Sequence, residues 1–245
     1  MKSVFNLVSP ETGTSYVIFI EAPPLKTSPG PWPVMLFMDG DDQFPVALAA
    51  YREARAAGLV PPTLLVGVGY GASYTKAVNK RGRDYTPTAH SDEPASGGAA
   101  AFAKFLTATL WPELERSFPL NRKFRGIAGH SLGSLLVLAV LCQEPGFFTH
   151  YLASAPSIWW DNRSILGWVA ERQARNDALS AKLFLGVGEE DTASMTGDLV
   201  LLENQLIARP LTGLSWVVRR FARRNHFNVL PESFRTGLIF LLAES

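Results

Sequence analysis

The chain holds a single cysteine, Cys142, in 245 residues. One thiol closes no disulfide within the chain, and no CxxC pair exists for zinc or redox chemistry. An excess of one charge is also missing. Lys and Arg number 23 against 22 Asp and Glu, a formal net charge of +1. Without a basic field, nucleic acid is not an expected partner. Long apolar runs are absent too. The longest, Leu135 to Cys142, falls far short of the about 20 residues that cross a bilayer. Met1 to Asn6 opens no sustained apolar segment of the signal-peptide kind. With 47% hydrophobic and only 18% charged residues, the composition is the opposite of a disordered chain. The expectation is a soluble, cytoplasmic protein with no membrane partner; its oligomeric state is not legible.

What is present is an alternation. Short apolar, β-branched runs are separated by stretches of helical period, the pattern of an α/β fold with a mostly parallel sheet. Val4–Val8 and Tyr16–Ile20 flank a Pro- and Gly-containing turn and predict an opening hairpin. Further strands are predicted at Val34–Met38, Leu64–Val68, Phe124–Gly129, Tyr151–Ala155, Leu183–Val187 and Ser215–Val218. Helices are predicted over Pro45–Ala57, Ala99–Phe118 and Leu132–Gln143, and near Leu166–Leu179, Leu199–Ile207 and Glu232–Leu242. Gly69 to Gly98 reads as one long irregular loop, a length usually reserved for function. No repeat or linker divides the chain. Residues 1–245 are therefore expected to form one domain with about eight strands and no large separate cap.

Gly129-His130-Ser131-Leu132-Gly133 is a G-x-S-x-G string placed between an apolar strand and an apolar helix. That context is what a nucleophile elbow requires, and it makes Ser131 the candidate nucleophile. A serine hydroxyl needs a base, and the base an orienting acid. Four histidines are available. His130 adjoins Ser131 and should diverge from it, His90 lies in the long loop, and His150 enters a strand at the wrong end. His226 follows the last strand, at the end of the sheet where such sites lie. The acid should leave the strand Leu183–Val187, which empties into Glu189-Glu190-Asp191. Asp191 is favoured, with Glu190 the alternative. The order Ser131, Asp191, His226 is that of the α/β-hydrolases.

Acyl transfer also needs donors for the developing oxyanion. The amide of Leu132 is one. The other is expected from the turn after Val34–Met38, as the amide of Gly40 or Asp41. Asp39-Gly40-Asp41-Asp42 reads otherwise as a helix-capping turn; no ligand cluster complements it, so no metal and no cofactor are expected.

These residues resemble the esterase-D-like branch of the α/β-hydrolases, above all the bacterial siderophore trilactone esterases of the enterobactin and bacillibactin type. The stretches that carry the likeness are Met38-Asp39-Gly40, Arg83-Asp84-Tyr85-Thr86-Pro87-Thr88, Gly97-Gly98-Ala99, the elbow, Ala155-Pro156-Ser157-Ile158-Trp159-Trp160-Asp161, Val187-Gly188-Glu189-Glu190-Asp191 and Asn225-His226. The resemblance implies the acid three residues after Gly188, hence Asp191, where the family usually has Glu. Arg224 stands where relatives carry an acidic residue, Asn228 where they often have Ser, and Ser134 where they often have Gly. Tyr85 and the Trp159-Trp160 pair follow strands on the site side and are expected to shape a pocket, one tryptophan inward and one toward the cleft. Arg83 is expected to pair with Asp84 or to contact substrate. The run Arg219 to Arg224 is expected to be a solvated strand edge that could draw anions, Arg224 foremost. The expected activity is serine esterase chemistry on a small-molecule carboxylic ester. The rivals are a general carboxylesterase, an acyltransferase with the same triad, and a binding protein on a hydrolase fold.

Overall fold

A computed structural model of the chain describes residues 2–143, 146–175 and 177–243. Eight strands form one sheet in the order β1-β2-β4-β3-β5-β6-β7-β8. β1 (Lys2–Val8) and β2 (Ser15–Glu21) are the antiparallel hairpin, and β2 pairs antiparallel with β4 (Leu64–Gly69). From β4 onward all pairs are parallel: β3 (Trp32–Phe37), β5 (Leu120–His130), β6 (His150–Ser154), β7 (Ala181–Gly188) and β8 (Leu214–Phe221). The apolar runs are unbroken in β4 because that strand is covered on both faces, and all six of its residues are buried. This is the α/β architecture with a mostly parallel sheet that the alternation predicts.

Helices α1 (Gly40–Ala56) and α8 (Leu230–Leu242) pack together on one face, burying Phe44, Leu48, Phe234 and Leu238 against Phe37 and Phe184. The other face carries α3 (Ala99–Lys104), α4 (Trp111–Ser117), α5 (Leu132–Gln143), α6 (Trp160–Arg175) and α7 (Ala193–Ala208). Nearly all of α5 is buried, which explains why it is apolar around its whole circumference.

Several elements differ from expectation, among them α7, which starts at Ala193 ahead of Leu199, and β5, which starts at Leu120 ahead of Phe124. α1 starts at Gly40 rather than Pro45, because Asp39 (φ 54) turns the chain into the helix five residues earlier. The long loop contains a short helix, α2 (Arg81–Asp84). The helix expected over Ala99–Phe118 widens into a π-helical segment at Phe105–Leu110. Pro112 just beyond has no N–H to donate back, and the wider turn accommodates its ring. The helix expected near Leu166–Leu179 takes its right-handed form after Arg163, behind a left-handed turn counted with α6; position 176 lies outside the described residues. That turn holds three left-handed residues in a row, Asp161 (φ 44), Asn162 (φ 52) and Arg163 (φ 64). Each non-glycine residue in that region costs roughly 1–2 kcal/mol, so the surroundings must fix the turn. They do so through Trp160 Nε1, which donates to the Thr88 carbonyl (3.3 Å), and Arg163, paired with Asp198 at 2.6 Å. Among the described residues no helix is long and apolar enough to cross a membrane.

Register aligns the C-terminal strand ends. His130 is opposite Ser154, Ser154 opposite Gly186, and Gly188 opposite Phe221. Ser131, Ala155–Ser157, Glu189–Asp191 and Ala222–His226 therefore emerge from neighbouring positions along one edge.

Candidate active site

The elbow follows from glycine packing. A Cβ on Gly129 would collide with the Gly133 backbone, so the strand end and the first turn of α5 touch. Between them the chain reverses at Ser131, whose φ is 58°. Its N–H donates to the Ser154 carbonyl (3.0 Å), while Ser134 Oγ donates to the carbonyls of Gly129 and Ser154 at 2.7 Å each. Leu132 opens the helix, so its amide has no partner within the helix.

His226 sits in a turn closed by reciprocal asparagines. Asn225 Oδ1 accepts the amides of Phe227 (3.0 Å) and Asn228 (3.1 Å), and Asn228 Oδ1 accepts that of Asn225 (2.7 Å). This turn lies on the end of β7: Gly188 packs against the Arg224 carbonyl, and the Glu190 amide donates to that carbonyl at 2.8 Å. The contact brings Asp191 Oδ2 to 2.9 Å from His226 Nδ1, with the Asp191 side chain almost wholly buried. Glu189 and Glu190 face solvent. Gly188→Ala is expected to push this turn away and lower kcat by about 100-fold, since a displacement near 1 Å costs that much. An ester-hydrolysis assay on protein with an unchanged circular dichroism spectrum checks it.

The other histidines are engaged elsewhere. His150 starts β6, at the opposite end of the sheet, and stacks on Phe124 with ring centres 3.7 Å apart. His90 packs on Trp160. His130 is buried beneath His226, ring centres 4.7 Å apart, with Nδ1 3.1 Å from Ser154 Oγ. Burial pushes its imidazole down to about 3, and the neighbouring His226 and Arg81 add to the fall. It is therefore a neutral spacer near pH 7.

The Asp39 turn abuts the elbow: the Cβ position of Gly133 lies 3.2 Å from Met38 Cβ and 3.5 Å from Asp39 Oδ2. Gly40 and Asp41 open α1, so their amides, like that of Leu132, have no partner within the helix. The Asp39 carboxylate does not cap the helix, contrary to the capping expectation. It forms a two-pronged pair with Arg81 (Nε–Oδ1 2.8 Å, Nη2–Oδ2 3.0 Å) and accepts from Gln43. Burial pushes the Asp39 carboxyl up, and Arg81 pulls it back. Burial works to lower Arg81, but Asp39 outweighs it and holds the guanidinium above its ordinary value. Asp41 and Asp42 accept amides from Tyr70, Gly71 and Tyr74. Arg81 was not among the sequence candidates; its partner is 42 residues away, and an arginine in a polar loop reads as solvated.

Four residues named for the pocket are engaged by the protein's own groups, Arg83 in the Asp84 pair that is one of its two expected readings and Trp160 as the inward tryptophan. Tyr85 is fully buried, and its hydroxyl accepts the Asp39 amide at 2.9 Å, so it supports the turn from within the core. Trp160 is also buried and braces the long loop at Thr88. Arg83 is committed to Asp84 (2.6 Å) and Thr14 Oγ1 (2.8 Å), tying the loop to the β1–β2 turn. Arg224 pairs with Glu232 (2.8 Å) and lines a groove between α1 and α8. Only Trp159 faces out, 45% exposed, which gives the expected inward–outward split of the tryptophans. Sequence reading passed over Phe227, 81% exposed and edge-on to His226, and Tyr74, exposed beside Arg81. Adjacency to His226 was the available signal for Phe227.

A family described as "Putative esterase" matches residues 9–208. The ferri-bacillibactin esterase BesA of Bacillus subtilis is 31% identical over 247 residues, covering 93% of this chain and 85% of its own length. The siderophore triacetylfusarinine C esterase of Aspergillus fumigatus is 33% identical over 165 residues, 64% of this chain and 56% of its own. Among solved structures, the BES protein from Bacillus cereus superposes with a TM-score of 0.89 at 27% identity, covering 100% of this chain and 95% of that one. An IroE-like serine hydrolase from Shewanella oneidensis reaches 0.88 at 22% identity, covering 99% and 80%, and shows the shared fold. The protein has the α/β-hydrolase fold and belongs to this esterase family.

Proposed function

We propose that the protein is a serine hydrolase of carboxylic esters that works through an acyl-enzyme and takes siderophore-like lactone esters. The carrying observation is the 2.9 Å contact between Asp191 and His226, at the strand edge where Ser131 turns outward. In this reading Asp191 fixes the imidazole with Nδ1–H toward the carboxylate, which leaves Nε2 free to take the Ser131 proton. Ser131 Oγ attacks the ester carbonyl. The amides of Leu132 and of Gly40 or Asp41 receive the oxyanion, both at helix starts where donors are unspent. His226 returns the proton to the leaving alcohol, and water then releases the acyl group by the same route.

Two observations support the substrate class. The relatives above are named as esterases of siderophores. Exposed aromatic faces, Phe227 and Trp159, lie beside His226 and two residues beyond Ser157, suited to stacking on planar groups. A cyclic trilactone bearing catechol arms and a short alkyl ester of p-nitrophenol separate this from general esterase action. The trilactone is expected to show the higher kcat/KM. Replacing Phe227 and Trp159 together by Ala should lower that value about tenfold, the size of one lost stacking contact. The small ester should respond little. Absence of trilactone cleavage would leave a general carboxylesterase.

A further inference from the structure

We propose that Ser157 is a further residue of the reaction, donating its hydroxyl to the nucleophile; this rests on the assignment of Ser131 above. Ser157 is 1% exposed, and its Oγ lies 3.2 Å from Ser131 Oγ. Among the described residues that is the only hydrogen-bond partner of this hydroxyl. The neighbouring buried serines behave differently. Ser134 spends its proton on the carbonyls of Gly129 and Ser154, and Ser154 Oγ meets His130. A buried hydroxyl ordinarily settles on a carbonyl; this one settles on the atom that reacts.

The backbone holds it there. Ala155 takes a left-handed turn (φ 45), and its amide donates to Gly186 at 2.7 Å. The Ser157 amide donates to the Ser131 carbonyl at 3.3 Å, and the Trp160 amide to the Ser157 carbonyl at 3.2 Å. The left-handed turn at Asp161–Arg163 follows directly.

Proton bookkeeping sets the direction of the bond. Ser131 has one proton, and in the reaction it goes to His226. Ser131 Oγ must then accept from Ser157, which keeps its own proton throughout. As the Ser131 proton leaves and the bond to the carbonyl carbon forms, Oγ carries negative charge, and the Ser157 bond strengthens. When water resolves the acyl-enzyme, Ser131 Oγ departs with the same charge and is met by the same donor. Both half-reactions gain.

The test measures kcat, KM and the second-order rate of fluorophosphonate labelling for Ser157→Ala. The variant removes one oxygen and leaves the backbone bonds in place. Labelling and kcat are expected to fall together by about 10- to 100-fold, as for a lost hydrogen bond to a charged group, with KM little changed. A merely structural role would lower the melting temperature and leave those rates alone. Wild-type rates, or faster labelling, would overturn the proposal. A crystal structure of the wild-type phosphonylated enzyme is the second measurement: Ser157 Oγ should remain about 3 Å from Ser131 Oγ, and a side chain rotated away would also overturn it. Should Ser131→Ala stay active, the underlying assignment fails as well; a dead Ser131→Ala beside a normal Ser157→Ala removes only Ser157.

Discussion

Ser131→Ala is expected to lower kcat by about six orders of magnitude, the scale seen when a triad nucleophile is removed. The fold should be unaffected. Serine and alanine pay the same cost at φ 58°, and what holds the turn is backbone: the Ser131 amide on Ser154, and the contact of Gly129 with Gly133. The melting temperature should therefore match the parent while labelling by a fluorophosphonate disappears. Turnover at the parental rate by a purified, folded Ser131→Ala protein would defeat the proposed chemistry as a whole. The double variant Ser131→Ala/His226→Ala should be no slower than either single one, because residues that act as a unit do not add.

Asp191→Asn is expected to lower kcat by about 10⁴-fold with the geometry kept, since an amide holds the imidazole in the wrong tautomer. Glu190→Gln and Glu189→Gln should change kcat little, because both side chains face solvent. Steady-state kinetics of the three proteins on one aryl ester make the comparison. A loss concentrated at Glu190 would contradict the 2.9 Å contact as the working one.

The frame of the site was readable before the structure. The elbow announces itself because two glycines must flank a serine where strand and helix touch, and the run Gly126-Ile127-Ala128-Gly129 before it carries no polar side chain. Among the three carboxylates after β7 the residues favour Asp191 but leave Glu190 open. Which one faces His226 depends on the register of β7 with β8 and on Gly188 closing against the Arg224 carbonyl, both set by tertiary packing. The same limit explains Tyr85 and Trp160. An aromatic residue after a strand can line a cleft or fill the core, and here the polar tips find buried partners, the Asp39 amide and the Thr88 carbonyl. Arg81 escaped notice because its buried partner, Asp39, lies 42 residues away in the turn before α1. The hub at Asp84, which accepts from Tyr16 (2.7 Å) and Tyr70 (3.0 Å) as well as Arg83, likewise joins segments far apart in sequence.

β8 is the sheet's outermost strand on its side, paired to β7 alone, and most of its residues are only partly covered. His226 hangs from it, whereas Ser131 hangs from β5 in the middle of the sheet. The two halves of the site therefore differ in how easily they can come apart. Opening the β7–β8 ladder would uncover Phe221 and the partly covered Leu214, Trp216, Val217 and Val218, but it needs only partial unfolding, and elements at a partly covered margin open at lower free energy than the core. Such an excursion carries the imidazole away while the serine stays in place. On the proposed chemistry, activity is therefore expected to be lost to fluctuation of this one margin while most of the structure still stands, ahead of any unfolding of the core.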